Sequence, residues 1–401
     1  MGAAVSRVRT GLDRLGDEAA VARLLRGRRV GLLAHPASVD ARLRPARAVV
    51  ESTGAELRVL FGPEHGYAGA AQDMIGVRSE AGGDLRVRSL YGERFDDLSP
   101  SPEDLDDLDV VVIDLQDIGS RYYTYVWTAA LVLEAAVAAG VEVVVLDRPN
   151  PLGGARVEGA PQRPGYRSFV GLYDVPVRHG LTIGEVLTLV CRARGLDGGA
   201  LTVVDMQGWS REMTFADTGL PWVMPSPNMP TLDTARVYPG GCLIEGTRLS
   251  EGRGTTRPFE LWGAPWLDGE ALAADEALGR AVSGALLRPV VFEPTFHKHA
   301  GQRCGGVQVH VTDPARFRPY HAYRWLLWAA MRQRPDAPRF RTEPYEFVAD
   351  RPAIDLLTGG PEYRELIEAN AGPDALRALI ELDARGAAAF VEGLPAGVRR
   401  Y

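Results

Sequence analysis

Four apolar runs in the first 150 residues each end in side chains able to bind a ligand or move a proton. RRVGLLAHPASV leads to His35, and LRVLFGPEHG leads to Glu64 and His65. DVVVIDLQDIGSR leads to Asp114, Gln116 and Asp117, and VEVVVLDRPNPLGG to Asp147, Arg148 and Asn150. One aspartate behind a strand is ordinarily a helix N-cap. Four consecutive strands with polar carboxyl ends mark the edge where open α/β sheets hold ligands. In GPEHG, 62–66, the flanking glycines permit a sharp turn and a close approach of backbone to ligand. Glu64 is therefore the candidate general acid or base, with His65 to tune or orient it. The competing reading is a structural salt bridge.

QDIGSRYYTY, 116–125, packs an acid, a guanidinium and three tyrosines into ten residues. Tyrosines supply hydrogen bonds and flat apolar faces together, which suits a sugar ring. Asp117 is a candidate catalytic carboxylate, and Gln116, Arg121, Tyr122 and Tyr123 are candidate ligand contacts. The alternatives are an Asp117–Arg121 structural pair and tyrosines that start a helix and pack into the core. In DRPNPLGG, Asp147 and Arg148 can hold the turn while Asn150 offers its amide to a ligand. In VRHGLTIGE, Thr182 and Glu185 read as a capping box, which leaves His179 as the functional candidate. EGTRLSEGRGTTRPFE, 245–260, carries Glu245, Glu251, Arg248, Arg253 and Arg257 among small residues. Such a loop can grip a carboxylate, or it is simply a charged surface. His297, His299 and Cys304 match no recognised zinc spacing.

The elements that position these residues alternate in period. Short β-branched runs separated by helical stretches, roughly 17–26, 125–139 and 182–196, predict a doubly wound, Rossmann-like parallel sheet covered on both faces. The segment from about Trp209 to Trp266 is rich in Pro, Gly, Ser and Thr, yet holds Trp222, Trp262, Trp266, Tyr238 and Phe259. That composition predicts a long ordered loop region beside the site. Strands at VVFEPTF and GGVQVHVTD and helices at YHAYRWLLWAAMRQ and PDALRALIELDARGAAAFVEG predict a smaller mixed α/β domain. The expected division is 1–250 and 251–401. No GxGxxG follows the first strand and no GxxxxGK[ST] occurs, which disfavours a nucleotide cofactor. No cofactor and no metal are expected.

Of the 45 basic residues only Lys298 is lysine, and the other 44 are arginine. Codon bias explains most of that excess, because a net charge of −7 and a pI near 5.6 oppose a nucleic-acid partner. No run approaches the roughly 18 apolar residues of a membrane span. The N-terminal MGAAVSRVRTGLDRLGDEAA lacks the apolar block of a secretory signal, and three widely spaced cysteines suit a reducing compartment. A cytoplasmic protein is the expectation, with any oligomeric partner open.

GPEHG, DLQDIGSRYYTY, LDRPNPLGG, SFVG, RHGLTIGE, PSPNMPT, LSEGRGTTRPFE and CGGVQVHVTD, in this order, resemble the NamZ-type exo-β-N-acetylmuramidases from about residue 27 to Tyr401. The resemblance implies a glycoside hydrolase that removes non-reducing terminal N-acetylmuramic acid from peptidoglycan fragments, with a cleft between a Rossmann-like domain and a smaller one. It also implies that the glutamate of the EHG motif, Glu64 here, is catalytic. Many relatives carry secretion signals and this chain shows none, so cytoplasmic recycling of muropeptide fragments is the expected setting rather than secreted wall digestion. Glycosidic cleavage ordinarily needs a second carboxyl group, and Asp117, Asp114 and Glu251 are open candidates, as is the substrate's own acetamide. Arg121, Arg253 and Arg257 are candidate readers of the lactyl carboxylate, and His35, Asn150, His179, Asn228 and Glu251 complete the expected substrate contacts. The competing functions are a non-catalytic muropeptide sensor and a metal-dependent hydrolase, the latter sensitive to chelators.

Overall fold

The computed structural model describes residues 7–69, 81–82, 85–196 and 198–401. Residues 1–6, on which part of the leader expectation rests, lie outside them. Seven strands form one sheet: β1 (Arg29–Ala34), β2 (Glu56–Gly62), β3 (Ala81–Gly82), β4 (Leu85–Ser89), β5 (Val110–Asp114), β6 (Glu142–Leu146) and β7 (Leu201–Val204). Their order is β3-β4-β2-β1-β5-β6-β7, and every pairing is parallel except β3 with β4. The chain moves outward from β1 to β2 and β4 on one side, then to β5, β6 and β7 on the other. The crevice of this doubly wound sheet therefore opens at the carboxyl ends beside β1.

Both faces of the sheet are buried, which is why its strands read as continuous apolar runs. Leu32, Leu60, Val110, Val112 and Val144 pack on one side with Leu12, Leu15 and Val50. Leu33, Phe61, Val111, Ile113 and Val145 pack on the other with Trp127, Leu133 and Leu187. The helix Tyr125–Ala138 ends before Gly140, whose φ of 73° suits only glycine at that turn. The capping box expected for the helix Ile183–Arg194 is present: Thr182 Oγ1 accepts from Glu185 N, and Thr182 N donates to Glu185 Oε2. The first helix differs from expectation. A capped helix, Gly11–Asp17, precedes the expected stretch, because Thr10 and Asp13 make an earlier capping box; Glu18 turns extended, and within 17–26 only Ala19–Ala22 is helical.

A second sheet is antiparallel, in the order β8 (Leu261–Ala264), β10 (Cys304–Val311), β9 (Ala285–Phe292). It packs with the helices Leu232–Gly241 and Pro319–Arg332. The region from Trp209 to Trp266 is thus more regular than its composition predicts, holding a helix and β8. Its Pro239-Gly240-Gly241 run masks the helix, and tertiary packing accounts for the glycine. A Cβ on Gly240 would lie 2.1 Å from the Pro319 carbonyl oxygen, so only glycine permits this crossing. One apolar cluster runs without a break from Trp127 and Leu187 to Leu243, Trp262 and Leu326, so the two units share a core. Where polar groups interrupt that seam, a site can form.

β2 reaches the seam at Gly62, and the chain folds back at once. A Cβ on Gly62 would lie 2.2 Å from Tyr67 N and 2.7 Å from Gly66 C, both backbone atoms. Gly62→Ala should therefore cost about 2 kcal/mol of stability, the scale of forced overpacking. Urea unfolding of the purified variant checks this, and an unchanged midpoint would refute the close approach.

Candidate active site

Glu64 sits in the turn after β2, with His65 at φ 71° and Gly66 at φ 77°. Two successive left-handed residues lift the Glu64 carboxyl out of the strand direction, and a non-glycine residue there is uncommon. Glu64 is 6% exposed, and Thr124 Oγ1 donates to its Oε2 at 2.8 Å. Thr124 is the N-cap of the helix Tyr125–Ala138, yet its hydroxyl makes no cap bond to its own helix. It is turned to Glu64 instead, and the partial positive charge of that helix end favours an anion beside it.

Around Glu64 the recess is lined by His65, Tyr122, Tyr123, Tyr125 and Ser226 from the first half of the chain and the loop that follows it. Asn228 and Met229 continue the loop, and Tyr238, Glu245, Arg253, Tyr345 and Glu346 come from the second unit. The tyrosines form a wall: the rings of Tyr123 and Tyr125 are 4.7 Å apart, and those of Tyr123 and Tyr238 are 5.8 Å apart. Burial pushes the hydroxyls of Tyr123, Tyr125 and Tyr238 well above the usual phenol range, so they act as neutral donors. Arg253 Nη2 donates to Glu245 Oε1 at 2.7 Å, and Tyr345 OH donates to Glu245 Oε2 at 2.7 Å. The geometry is that of a carboxyl held at the bottom of an aromatic, acid-lined recess. A larger cavity, about 480 Å³, lies elsewhere, lined by Pro151, Leu152 and Phe317. Three of its guanidiniums are already paired, Arg178 with Glu158, Arg211 with Glu185 and Arg236 with Asp233, so size alone does not mark the chemistry.

The structure brings together Glu64, His65, Tyr122, Tyr123, Asn228 and Arg253 from the expected set. His35, Gln116, Asp117, Arg121, Asn150, His179, Glu251 and Arg257 do not line the recess. Most of them hold its walls. Gln116 N donates to His35 Nε2 at 2.8 Å, so that nitrogen accepts, and His35 Nδ1 carries the proton it gives to Pro225 O at 3.1 Å. Tyr125 OH donates to the same Pro225 carbonyl at 2.8 Å. Gln116 Nε2 donates to the Asp117 and Pro149 carbonyls. Asn150 spends its amide on Leu181 O and Leu152 N. Arg121, fully buried, donates to the carbonyls of Ala160, Val175 and Leu357, tying both units together. Asp114 and Arg148 make a buried two-point ion pair at 2.6 and 2.7 Å. Asp117 accepts from Gly119 N at 2.8 Å, and His179 Nε2 lies 3.4 Å from its Oδ2.

Glu251 is the hub of a separate cluster. Lys298 Nζ is 2.8 Å from its Oε2, His297 Nδ1 is 2.8 Å from its Oε1, and Arg253 Nε is 3.4 Å away. Although burial opposes it, the Lys298 ammonium beside Glu251 holds its carboxyl well below the usual range. Lys298 also donates to the Ile244 and Thr247 carbonyls. A tetrahedral ammonium suits three acceptors converging on one point, which the flat arginine fork does not. Arg257 is half-buried and lies 3.6 Å from Glu260. His299 Nε2 hydrogen-bonds with the Arg248 carbonyl, and among the described residues no three His, Cys, Asp or Glu side chains are grouped to hold a metal. Thr124, Ser226, Tyr345 and Glu346 were missed by sequence reasoning, and Tyr238 was placed only in the aromatic region beside the site. Glu346 stands in EPYEF, which has no flanking glycine to flag it, and only the chain's return to the seam brings it to the recess.

Burial holds the His35 imidazole neutral by pushing its pKa down to about 3. The unfolded chain takes up that proton near pH 6.5 and the folded chain does not, so this histidine stabilises the fold above about 6.5. That contribution is lost as the pH falls towards 3, by up to about 1.4 kcal/mol per unit. His35→Gln should start less stable at neutral pH and show a shallower decline over that window. Urea unfolding between pH 7 and 4 checks this, and parallel profiles would refute it.

Two family models match the chain: the N-terminal domain of exo-β-N-acetylmuramidase NamZ over residues 30–233, and its C-terminal domain over 236–389. The peptidoglycan β-N-acetylmuramidase NamZ of Bacillus subtilis is 45% identical over 315 residues, 78% of this chain and 74% of that one. A crystal structure of a DUF1343 family protein from Bacteroides fragilis superposes with a TM-score of 0.83 at 31% identity, covering 98% of this chain and all of that one. A second DUF1343 protein of that organism gives 0.71 at 23% identity, covering 96% of this chain and 98% of that one, a likeness of fold. With both halves matched and a curated relative at that identity, the chain belongs to the NamZ family of exo-β-N-acetylmuramidases and is a glycoside hydrolase.

Proposed function

We propose that this chain hydrolyses the bond behind a non-reducing terminal N-acetylmuramic acid on peptidoglycan-derived saccharides, with Glu64 as its general acid. The observation that carries the assignment of Glu64 is its carboxyl, 6% exposed, facing the tyrosine-lined recess at the N-terminus of the helix Tyr125–Ala138. As the glycosidic bond lengthens, the leaving oxygen takes the Glu64 proton, and Thr124 Oγ1 stabilises the carboxylate that results. Tyr123 and Tyr238 offer flat faces to the sugar ring, and Ser226 and Asn228 offer polar groups to its substituents. His65, on the same turn, orients the glutamate.

Arg253 is the only one of the three expected carboxylate readers that lines the recess. A guanidinium carries five N–H donors in a fixed fork. Arg253 Nη2 donates to Glu245 and its Nε faces Glu251, contacts that hold the guanidinium in the lining of the recess. We assign it the lactyl carboxylate that distinguishes muramic acid from glucosamine. Among the described residues no helix is long and apolar enough to cross a membrane. The three cysteines are free and buried, which supports a role in a reducing compartment, in the recycling of cell-wall fragments.

Glu64→Gln should lower kcat on a chromogenic muramoside by about 10²- to 10⁴-fold, the worth of a positioned general acid, while ligand binding is kept. Steady-state kinetics with calorimetric binding checks this. Undiminished turnover would remove Glu64 from the reaction, and a wild-type chain that binds muropeptide without cleaving it would leave a sensor. Arg253→Lys keeps the charge but breaks the planar fork, and should raise KM for the muramoside about tenfold without a matching effect on a glucosaminide. Equal KM changes on both substrates would show that Arg253 does not read the lactyl group.

A further inference from the structure

We propose that Glu346 is the second catalytic carboxylate, lining the same recess as Glu64; the inference rests on the muramidase reading above. Glu346 is 4% exposed and lines the same recess as Glu64. It is delivered by a tight two-residue turn. Tyr345 N donates to Val348 O at 2.9 Å, and Val348 N donates to Tyr345 O at 3.0 Å. Between them Glu346 has φ 46° and Phe347 has φ 66°. A turn with two left-handed central residues ordinarily takes Asn-Gly, because a side chain there costs about 1–2 kcal/mol per residue. Here both positions carry large side chains. Strain of this kind persists where the surroundings enforce it, and it gathers at working sites.

Packing from the first unit enforces the turn. The Phe347 ring packs against Tyr91 at 5.8 Å, Phe169 at 6.1 Å and Phe95 at 6.2 Å, all from the first unit. Tyr91 OH then donates to Glu346 Oε2 at 3.2 Å. Tyr91 follows β4, and Glu64 follows its neighbour β2, so adjacent strands of one sheet position both glutamates. The other acids expected or found nearby have different work. Glu245 is committed to Arg253 and Tyr345, Glu251 to Lys298 and His297, and Asp114 to Arg148, while Asp117 lies outside the recess lining.

In the reaction, the C–O bond breaks with its electron pair passing to the leaving oxygen, which takes the proton of Glu64. The positive charge left on the anomeric carbon faces the Glu346 carboxylate. Water adds its oxygen to that carbon and gives a proton to Glu346, so one water is consumed and the two glutamates exchange protonation states.

The test compares wild type, Glu346→Gln and Glu346→Ala on an aryl muramoside at saturating and limiting substrate, with and without sodium azide. We expect kcat of Glu346→Gln to fall about 100-fold or more with KM within threefold. We also expect azide to restore turnover of Glu346→Ala as a glycosyl azide, a rescue that a misfolded variant cannot give. An active wild type with kcat of Glu346→Gln within threefold, a loss confined to KM, or no azide rescue overturns the assignment of Glu346 alone. A wild type that does not cleave the muramoside overturns the muramidase reading and this role with it.

Discussion

The carbonyl of Pro225 accepts hydrogen bonds from two buried side chains, His35 Nδ1–H from the end of β1 and the Tyr125 hydroxyl from the helix that follows β5. The recess depends on that junction. It fixes the proline-rich loop that carries Ser226 and Asn228, and it does so from the sheet rather than from the loop itself. Both donors are reliable because burial keeps the imidazole neutral and the phenol protonated. A loop with so few backbone bonds of its own is ordered by side chains delivered to it.

The same logic governs Glu64. Its carboxyl takes a hydroxyl from Thr124, a residue in the N-cap position that leaves its own helix uncapped on the side-chain side. Gly62 allows the turn to fold back against Tyr67, and His65 accepts a left-handed backbone to complete it. Each of these gives up a little local stability, and the shared core of the two units supplies the balance. Functional sites on rigid sheets are typically built this way, with strain concentrated where the chemistry is.

Much of the polar content at the strand ends is scaffold. Asp114–Arg148, Asn150, Gln116 and Arg121 are buried and hydrogen-bonded to partners inside the protein. Their types and positions were visible from the sequence, and the pattern that singled them out was sound: strand ends at a sheet crevice carry either ligand contacts or the groups that hold them. Sequence spacing does not separate the two, because the difference lies in which direction a side chain leaves the turn. Lys298 makes the same point. The arginine-rich composition suggested nothing for the one lysine, yet it is placed where three acceptors converge on a single ammonium.

The sequence by itself determined the parallel sheet, the capping box of the helix Ile183–Arg194, the EHG turn and the family, because each is written in local periodicity or in contiguous motifs. It identified Glu64, His65, Tyr122, Tyr123, Asn228 and Arg253 among the residues that meet in the recess. Only the tertiary structure decided the rest. The helix at Leu232–Gly241 is hidden by a Pro-Gly-Gly run that makes sense only against Pro319, and Glu346 lies more than 280 residues from Glu64 in a turn without a motif. A second unit that folds back across the sheet brings such residues together by long-range packing, and no pattern local to either segment encodes that meeting.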